Sequence, residues 1–213
     1  MGVAVVFRPS TGFIASVPNP PPFILASASP RRTQLLSAAG LRHTVAVAAV
    51  TEHEDPSTDP AAMVLHNARI KAAAVSALHP DALVLGADTT VALGDRALNK
   101  PADLAESAAM LRALSGREHV VHTGVCMLCP ALGIDEAHDV TAWVRFKPLT
   151  DADIARYQAL VDTLDKAGAY GIQEGREIII EAHQEPVSTI MGLPVEFVVA
   201  RLRALGVLDG LRA

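Results

Sequence analysis

Two short, unbroken apolar runs constrain this chain more than any other feature. Phe23-Ile24-Leu25-Ala26 and Ala82-Leu83-Val84-Leu85-Gly86-Ala87 are of strand length and show no polar alternation, so each reads as a strand buried on both faces. Strands of that kind need a layer of helices on either side. Half of the residues are apolar but only 4% are aromatic, which leaves Ala, Val, Leu and Ile to build the core.

Helix and turn signals fill the intervals. Ser29-Pro30 supplies an N-cap and a first-turn proline after the first run, and Gly40 closes that helix. A second helix is predicted over 60–79, with Met63, Ala68, Ile70, Ala74 and Leu78 as its apolar positions. The strand over 82–87 is predicted to end at Asp88. Val91-Ala92-Leu93 and Arg96-Ala97-Leu98 flank Gly94-Asp95, the signature of a two-residue hairpin. Residues 102–114 and 151–161 read as helices, 119–128 and 139–147 as strands, Glu177 to Glu181 as a β-branched strand, and 194–205 as a helix opened by Pro194. This alternation predicts the α/β class, with a mixed, mostly buried sheet and flanking helices. At 213 residues the chain fits one domain, taken as 23–213. Residues 1–22 form an extension, whose prolines at 18 and 20–22 stop any strand before Phe23.

Charge and hydropathy narrow the partners. A net charge of −5 argues against nucleic acid and against an anionic membrane. No apolar run approaches the roughly 18 residues of a membrane span, and the N-terminal stretch lacks the pattern of a signal peptide. Two cysteines make no disulfide framework. A reducing cytoplasm is the expected setting.

Five segments carry chemistry. Ser27-Ala28-Ser29-Pro30-Arg31-Arg32 sits where a strand meets a helix N-terminus, a natural phosphate site. The dipole there disfavours two arginines by a few tenths of a kcal/mol each, and a bound anion would reverse that sign. Asp88-Thr89-Thr90 follows a buried strand, at the edge where open α/β sheets place ligands. An ordinary Asp, with a pKa near 4, is a weak base at neutral pH, so Asp88 would work best beside a metal that acidifies water. Glu52-His53-Glu54-Asp55 offers oxygen ligands suited to Mg²⁺ or Mn²⁺. Lys71 and Lys100 are compact positive charges for phosphate. Finally, Gln173 in Ala167-Gly168-Ala169-Tyr170-Gly171-Ile172-Gln173 carries an amide donor and acceptor that match the edge of uracil or thymine, and of guanine equally. Each segment alone also has an ordinary reading as a capped helix, a turn, an acidic loop or a solvated lysine.

His119, His122, Cys126 and Cys129 form a competing group with zinc-like or redox spacing. On a strand, Cys126 and Cys129 would face opposite sides, and Pro130-Ala131-Leu132-Gly133 reads as a loop rather than the helix a redox C-x-x-C opens. Buried strand thiols are the expectation.

Taken in order, several blocks resemble the Maf family of nucleotide pyrophosphatases, proteins first linked to septum formation in bacteria. The blocks are Leu25-Ala26-Ser27-Ala28-Ser29-Pro30-Arg31-Arg32, Asn67-Ala68-Arg69-Ile70-Lys71-Ala72, Gly86-Ala87-Asp88-Thr89, Asn99-Lys100-Pro101, Leu114-Ser115-Gly116, Thr123-Gly124-Val125, Asp165 to Gln173 and Gly192-Leu193-Pro194. The resemblance implies a fold like that of house-cleaning inosine triphosphate pyrophosphatases, two lobes around a cleft, and a homodimer. It implies Asp88 as proton acceptor, Ser29, Arg31, Arg32, Lys71 and Lys100 at phosphate positions, and Glu54 with Asp88 at the metal, with Glu52 or Asp55 as alternatives to Glu54. A divalent cation (Mg²⁺, Mn²⁺ or Co²⁺) is the implied cofactor. Arg31, Thr89 and Gln173 resemble the branch acting on dTTP and UTP, rather than the branch preferring 7-methyl-GTP. Glu174 departs from a glycine common in the family, and Ser188-Thr189-Ile190-Met191 departs before Gly192. Alternatives are a nucleotide-binding regulator of cell division without turnover, a 7-methyl-GTP pyrophosphatase, and a thiol redox protein.

Overall fold

The computed structural model describes residues 20–212. Seven strands form one mixed sheet: β1 (Phe23–Ala26), β2 (Thr44–Val45), β3 (Leu83–Leu93), β4 (Arg96–Leu98), β5 (Glu118–Cys129), β6 (Ile134–Phe146) and β7 (Ile180–His183). Their order is β2-β1-β3-β5-β6-β7, with β4 paired to β3. β1 runs parallel to both β2 and β3, while β3, β5, β6 and β7 pair antiparallel. The mixed sheet expected from the sequence is what the chain forms.

Among the described residues seven α-helices flank it: α1 (Pro30–Ala38), α2 (Pro60–Ser76), α3 (Leu104–Leu114), α4 (Asp151–Leu160), α5 (Arg176–Ile179), α6 (Val195–Ala204) and α7 (Leu208–Leu211). Successive residues of the buried strands feed opposite layers, as the pleat requires. Leu83, Leu85 and Ala87 join Val125, Met127 and the apolar face of α6, while Val84 joins Ile24, Ala26, Cys126 and the alanines of α2. A third cluster fills the other end of the long strands, where Val91, Val121, Val144 and Phe146 pack against α3 and α4. The long strands thus serve two lobes.

The approach of α2 to the sheet is set by Gly86 and Gly124. A Cβ on Gly86 would collide with the Ala68 carbonyl, and one on Gly124 with the Val64 carbonyl. Both are backbone atoms that cannot rotate away, so only glycine lets the helix lie this close.

Several expectations need correction. The second helix stops at Ser76, so Leu78 lies beyond it and is 74% exposed. β3 does not end at Asp88 but runs on to Leu93 and turns through Gly94-Asp95 into β4, as the hairpin signal required. Its partner β5 pairs through Ala92, and that ladder overrides the break suggested by a polar residue. The predicted strand at Glu177 to Glu181 begins as a helical turn, α5, and β7 starts only at Ile180. Ile178 and Ile179 bury their side chains in the second lobe from that turn, so tertiary packing outweighs β-branched propensity. Of the extension assigned to 1–22, residues 1–19 lie outside the described residues. Pro22 already joins the sheet just ahead of β1, its carbonyl accepting the Leu83 N–H at 2.8 Å.

Candidate active site

β1 stops at Ala26, opposite Gly86, while β3 continues. Asp88 therefore stands two residues beyond the end of its parallel neighbour, in the wall of a cleft of about 810 Å³. The lining comes from the β1–α1 junction, the loop at 47–54, α2, β3, the Asn99-Lys100 turn and the segments at 165–174 and 190–192. The volume suits a small-molecule ligand.

Asp88 is nearly buried, at 9% exposure. Lys71 donates to its Oδ1 at 2.8 Å, and Asn67 Nδ2 to its Oδ2 at 3.0 Å. Lys71 and Asn67 are four apart on α2, so they stack on one helix face. Lys71 also reaches Glu52 Oε2 at 2.7 Å, so one ammonium joins two carboxylates. The acidic loop is gripped by two asparagines. Asn67 accepts the His53 N–H at 2.8 Å and donates to the His53 carbonyl at 2.9 Å, and Asn99 donates to the Glu54 carbonyl at 2.9 Å.

Arg32 is a junction. Its Nε donates to the Gly192 carbonyl at 2.8 Å, Nη1 to Ser27 Oγ and the Ala87 carbonyl at 2.9 Å each, and Nη2 to Thr89 Oγ1 at 3.2 Å. Four of the five guanidinium N–H groups are thereby used. Burial pulls its pKa below the ordinary value, with the charges of Asp88 and Glu52 acting the other way. Thr89 in turn lies 3.1 Å from Thr123 Oγ1, whose proton goes to the Thr189 carbonyl at 3.0 Å. A fixed chain of donors and acceptors therefore joins α1, β3, β5 and the 188–192 segment.

The remaining predicted residues, Asp55 apart, also line the cleft. Ser29 occupies the N-cap of α1, but its side chain makes no cap bond; its N–H donates to Ser27 Oγ at 3.3 Å. Arg31 pairs with Asp165 across the cleft at 3.3 Å. Lys100 and Gln173 are exposed side chains of the lining. Glu54 lines the cleft too, but the acidic group tied to Asp88 through Lys71 is Glu52. Asp55 is turned to its own loop, accepting from the Ser57 N–H at 2.9 Å and the Ser57 hydroxyl at 2.7 Å, bonds that lower its pKa. Sequence reasoning missed Asn67, Thr123 and the Gly192 carbonyl as parts of the site. All three lie in blocks that carry the family resemblance, and Asn67 had a further signal in its i, i+4 spacing to Lys71.

The residues fit a divalent cation. Among the described residues no cluster of three or more His, Cys, Asp and Glu forms a self-sufficient metal site. Mg²⁺ more often takes one or two carboxylates plus substrate phosphates, and Asp88 and Glu52 already share one cation, the Lys71 ammonium. The lining carries five Lys or Arg side chains (31, 32, 71, 100, 166) and five Asp or Glu (52, 54, 88, 165, 174).

The cysteines lie elsewhere. Cys126 and Cys129 are free and buried, and they belong to different core clusters on opposite sheet faces. Burial pushes the Cys126 thiol up to about 11, the reverse of a reactive thiolate.

Fold and site together define a mixed α/β protein with an acid–base constellation at a small-molecule cleft. The chain belongs to the Maf family: the model described as Maf-like protein matches residues 22–205. It is similar to the dTTP/UTP pyrophosphatase of Deinococcus radiodurans, with 45% identity over 88% of this chain and 94% of that protein. The dTTP/UTP pyrophosphatase of Akkermansia muciniphila is also 45% identical, over 87% and 97% of the two chains. That of Symbiobacterium thermophilum is 44% identical over 86% and 93%.

Proposed function

We propose that the protein hydrolyses dTTP and UTP to the monophosphate and pyrophosphate. The observation that carries the reading is the nearly buried carboxylate of Asp88 in the cleft, held by Lys71 and Asn67. The near full-length similarity to relatives named for that activity supports it.

In this reading Asp88 accepts a proton from water as the water oxygen bonds to the α-phosphorus. The bond from that phosphorus to the oxygen bridging the β-phosphate breaks, and pyrophosphate leaves with the electron pair. Arg31, Lys71 and Lys100 meet phosphate charge that grows on the leaving group. Arg32 has one N–H left for an oxygen and acts mainly by fixing Ser27 and Thr89. Ser29 stands at the helix N-terminus that would face phosphate. Gln173 meets the base edge. Asp88 and Glu52, rather than Glu54, would hold a divalent cation, which would supply charge neutralisation and a more acidic water. The family resemblance also carries a homodimer, and the low cysteine count supports a reducing cytoplasm as its setting. Among the described residues no helix is long and apolar enough to cross a membrane.

The test is pyrophosphate release from dTTP, UTP, CTP, dGTP and 7-methyl-GTP with Mg²⁺, Mn²⁺ or Co²⁺. Turnover confined to dTTP and UTP is expected. Turnover only of 7-methyl-GTP would transfer the protein to the other branch, and binding without turnover would make it a regulator.

A further inference from the structure

Tyr157 lies behind the cleft wall, yet it grips the segment that carries Gln173. It stands on α4 and is fully buried. Its hydroxyl accepts the Gly171 N–H at 3.0 Å and donates to the Gly171 carbonyl at 3.3 Å. One phenol therefore satisfies both polar backbone atoms of a single residue. Its ring meets the chain again at Gly175, where an added Cβ would stand 2.9 Å from Cε2 and where φ is +61°. The two contacts bracket Ile172-Gln173-Glu174, of which Ile172 is buried and Gln173 is exposed in the cleft.

Such bracketing matters because an exposed glutamine has several rotamers and no fixed reach. An amide can discriminate between bases only if its backbone is placed to within a fraction of an ångström. The arrangement also requires a phenol that keeps its proton, since it must donate to the Gly171 carbonyl. Burial raises its pKa to about 12, which secures that proton.

We propose that Tyr157 is a specificity-determining positioning residue, which sets the base preference of the cleft by fixing Gly171 and Gly175 on either side of Gln173. The proposal rests on the reading of Gln173 as the base-facing residue of a dTTP/UTP site.

The experiment measures kcat/KM for UTP and for CTP in the full-length wild type, Tyr157→Phe, Gln173→Ala and the double variant, with inhibition by pyrophosphate and thermal melts alongside. Tyr157→Phe keeps the ring against Gly175 and removes only the clamp on Gly171. It is expected to lower the UTP/CTP ratio about tenfold, the equivalent of roughly one neutral hydrogen bond, and to leave pyrophosphate inhibition unchanged. The double variant is expected to match Gln173→Ala alone, because no placed amide remains to be displaced. A lower melting temperature with an unchanged ratio would mean a structural tyrosine only and overturn the proposal. Losses that multiply in the double variant would also overturn it, since Tyr157 would then act on another group. If Gln173→Ala by itself leaves the ratio intact, the base-facing role of Gln173 fails and the proposal falls with it. Gly175→Ala, which presses on the ring from the other side, gives an independent perturbation should Tyr157→Phe not fold; the same fall in ratio is expected, and an unchanged ratio counts against the clamp.

Discussion

Lys71 Nζ lies 2.8 Å from Asp88 Oδ1, with 14% and 13% of the two side chains exposed. This pair ties α2 to the middle of β3 at the point where the parallel neighbour of β3 has ended. It also gives Asp88 a cationic partner that a triphosphate would compete for, so binding and base placement are linked in one contact.

Replacing Asp88 by Asn keeps the shape but removes the proton acceptor, and its one carbonyl oxygen can accept from Lys71 or from Asn67 but not from both. We expect kcat to fall by roughly 10²–10⁴, the usual worth of a general base, with KM changed little. Steady-state pyrophosphate release measures both. Turnover retained at saturation with a large rise in KM would assign Asp88 to binding instead.

The two glutamates of the acidic loop separate by geometry. Glu52 shares Lys71 with Asp88, whereas Glu54 is tied to the site through its backbone carbonyl. Glu52→Gln should raise the Mn²⁺ concentration for half-maximal binding, read by titration calorimetry with a non-hydrolysed nucleotide, by about tenfold or more. Glu54→Gln should shift it much less. The opposite ranking would restore Glu54 to the metal.

Arg32→Lys retains the charge but cannot span Ser27, Ala87, Thr89 and Gly192 from one planar group. A loss of about 2–4 kcal/mol is expected in denaturant titrations. Arg31→Lys, whose single partner Asp165 is half exposed, should cost less than about 1 kcal/mol. Equal effects would contradict the junction role of Arg32.

His119 is buried, with Nε2 2.8 Å from the Tyr170 hydroxyl, and burial depresses its pKa from 6.5 to about 4. Between those values the unfolded chain binds a proton that the folded protein refuses. Its contribution is therefore intact above about pH 6.5 and is lost on acidification, by up to about 3 kcal/mol near pH 4. His119→Asn should flatten the stability–pH curve across that window in urea titrations at successive pH values. A variant curve of unchanged slope would mean that another group governs the acid limb.

The sequence by itself determined what is local. The buried character of β1 and the first half of β3 follows from unbroken apolar runs, the β3–β4 turn from Gly94-Asp95, and the start of α6 from Pro194. Asp88, Lys71, the arginine pair and Gln173 were legible as candidates because their residue types and order are distinctive, and all of them line the cleft. Tertiary structure decided the rest, since each remaining feature depends on groups distant in sequence. β3 continues past Asp88 because β5 pairs with it there. Glu52 rather than Glu54 meets Lys71 because Asn67 and Asn99 fix the loop backbone at His53 and Glu54. Arg32 becomes a junction only when acceptors from residues 27, 87, 89 and 192 converge on it, and no local pattern in the sequence encodes that convergence.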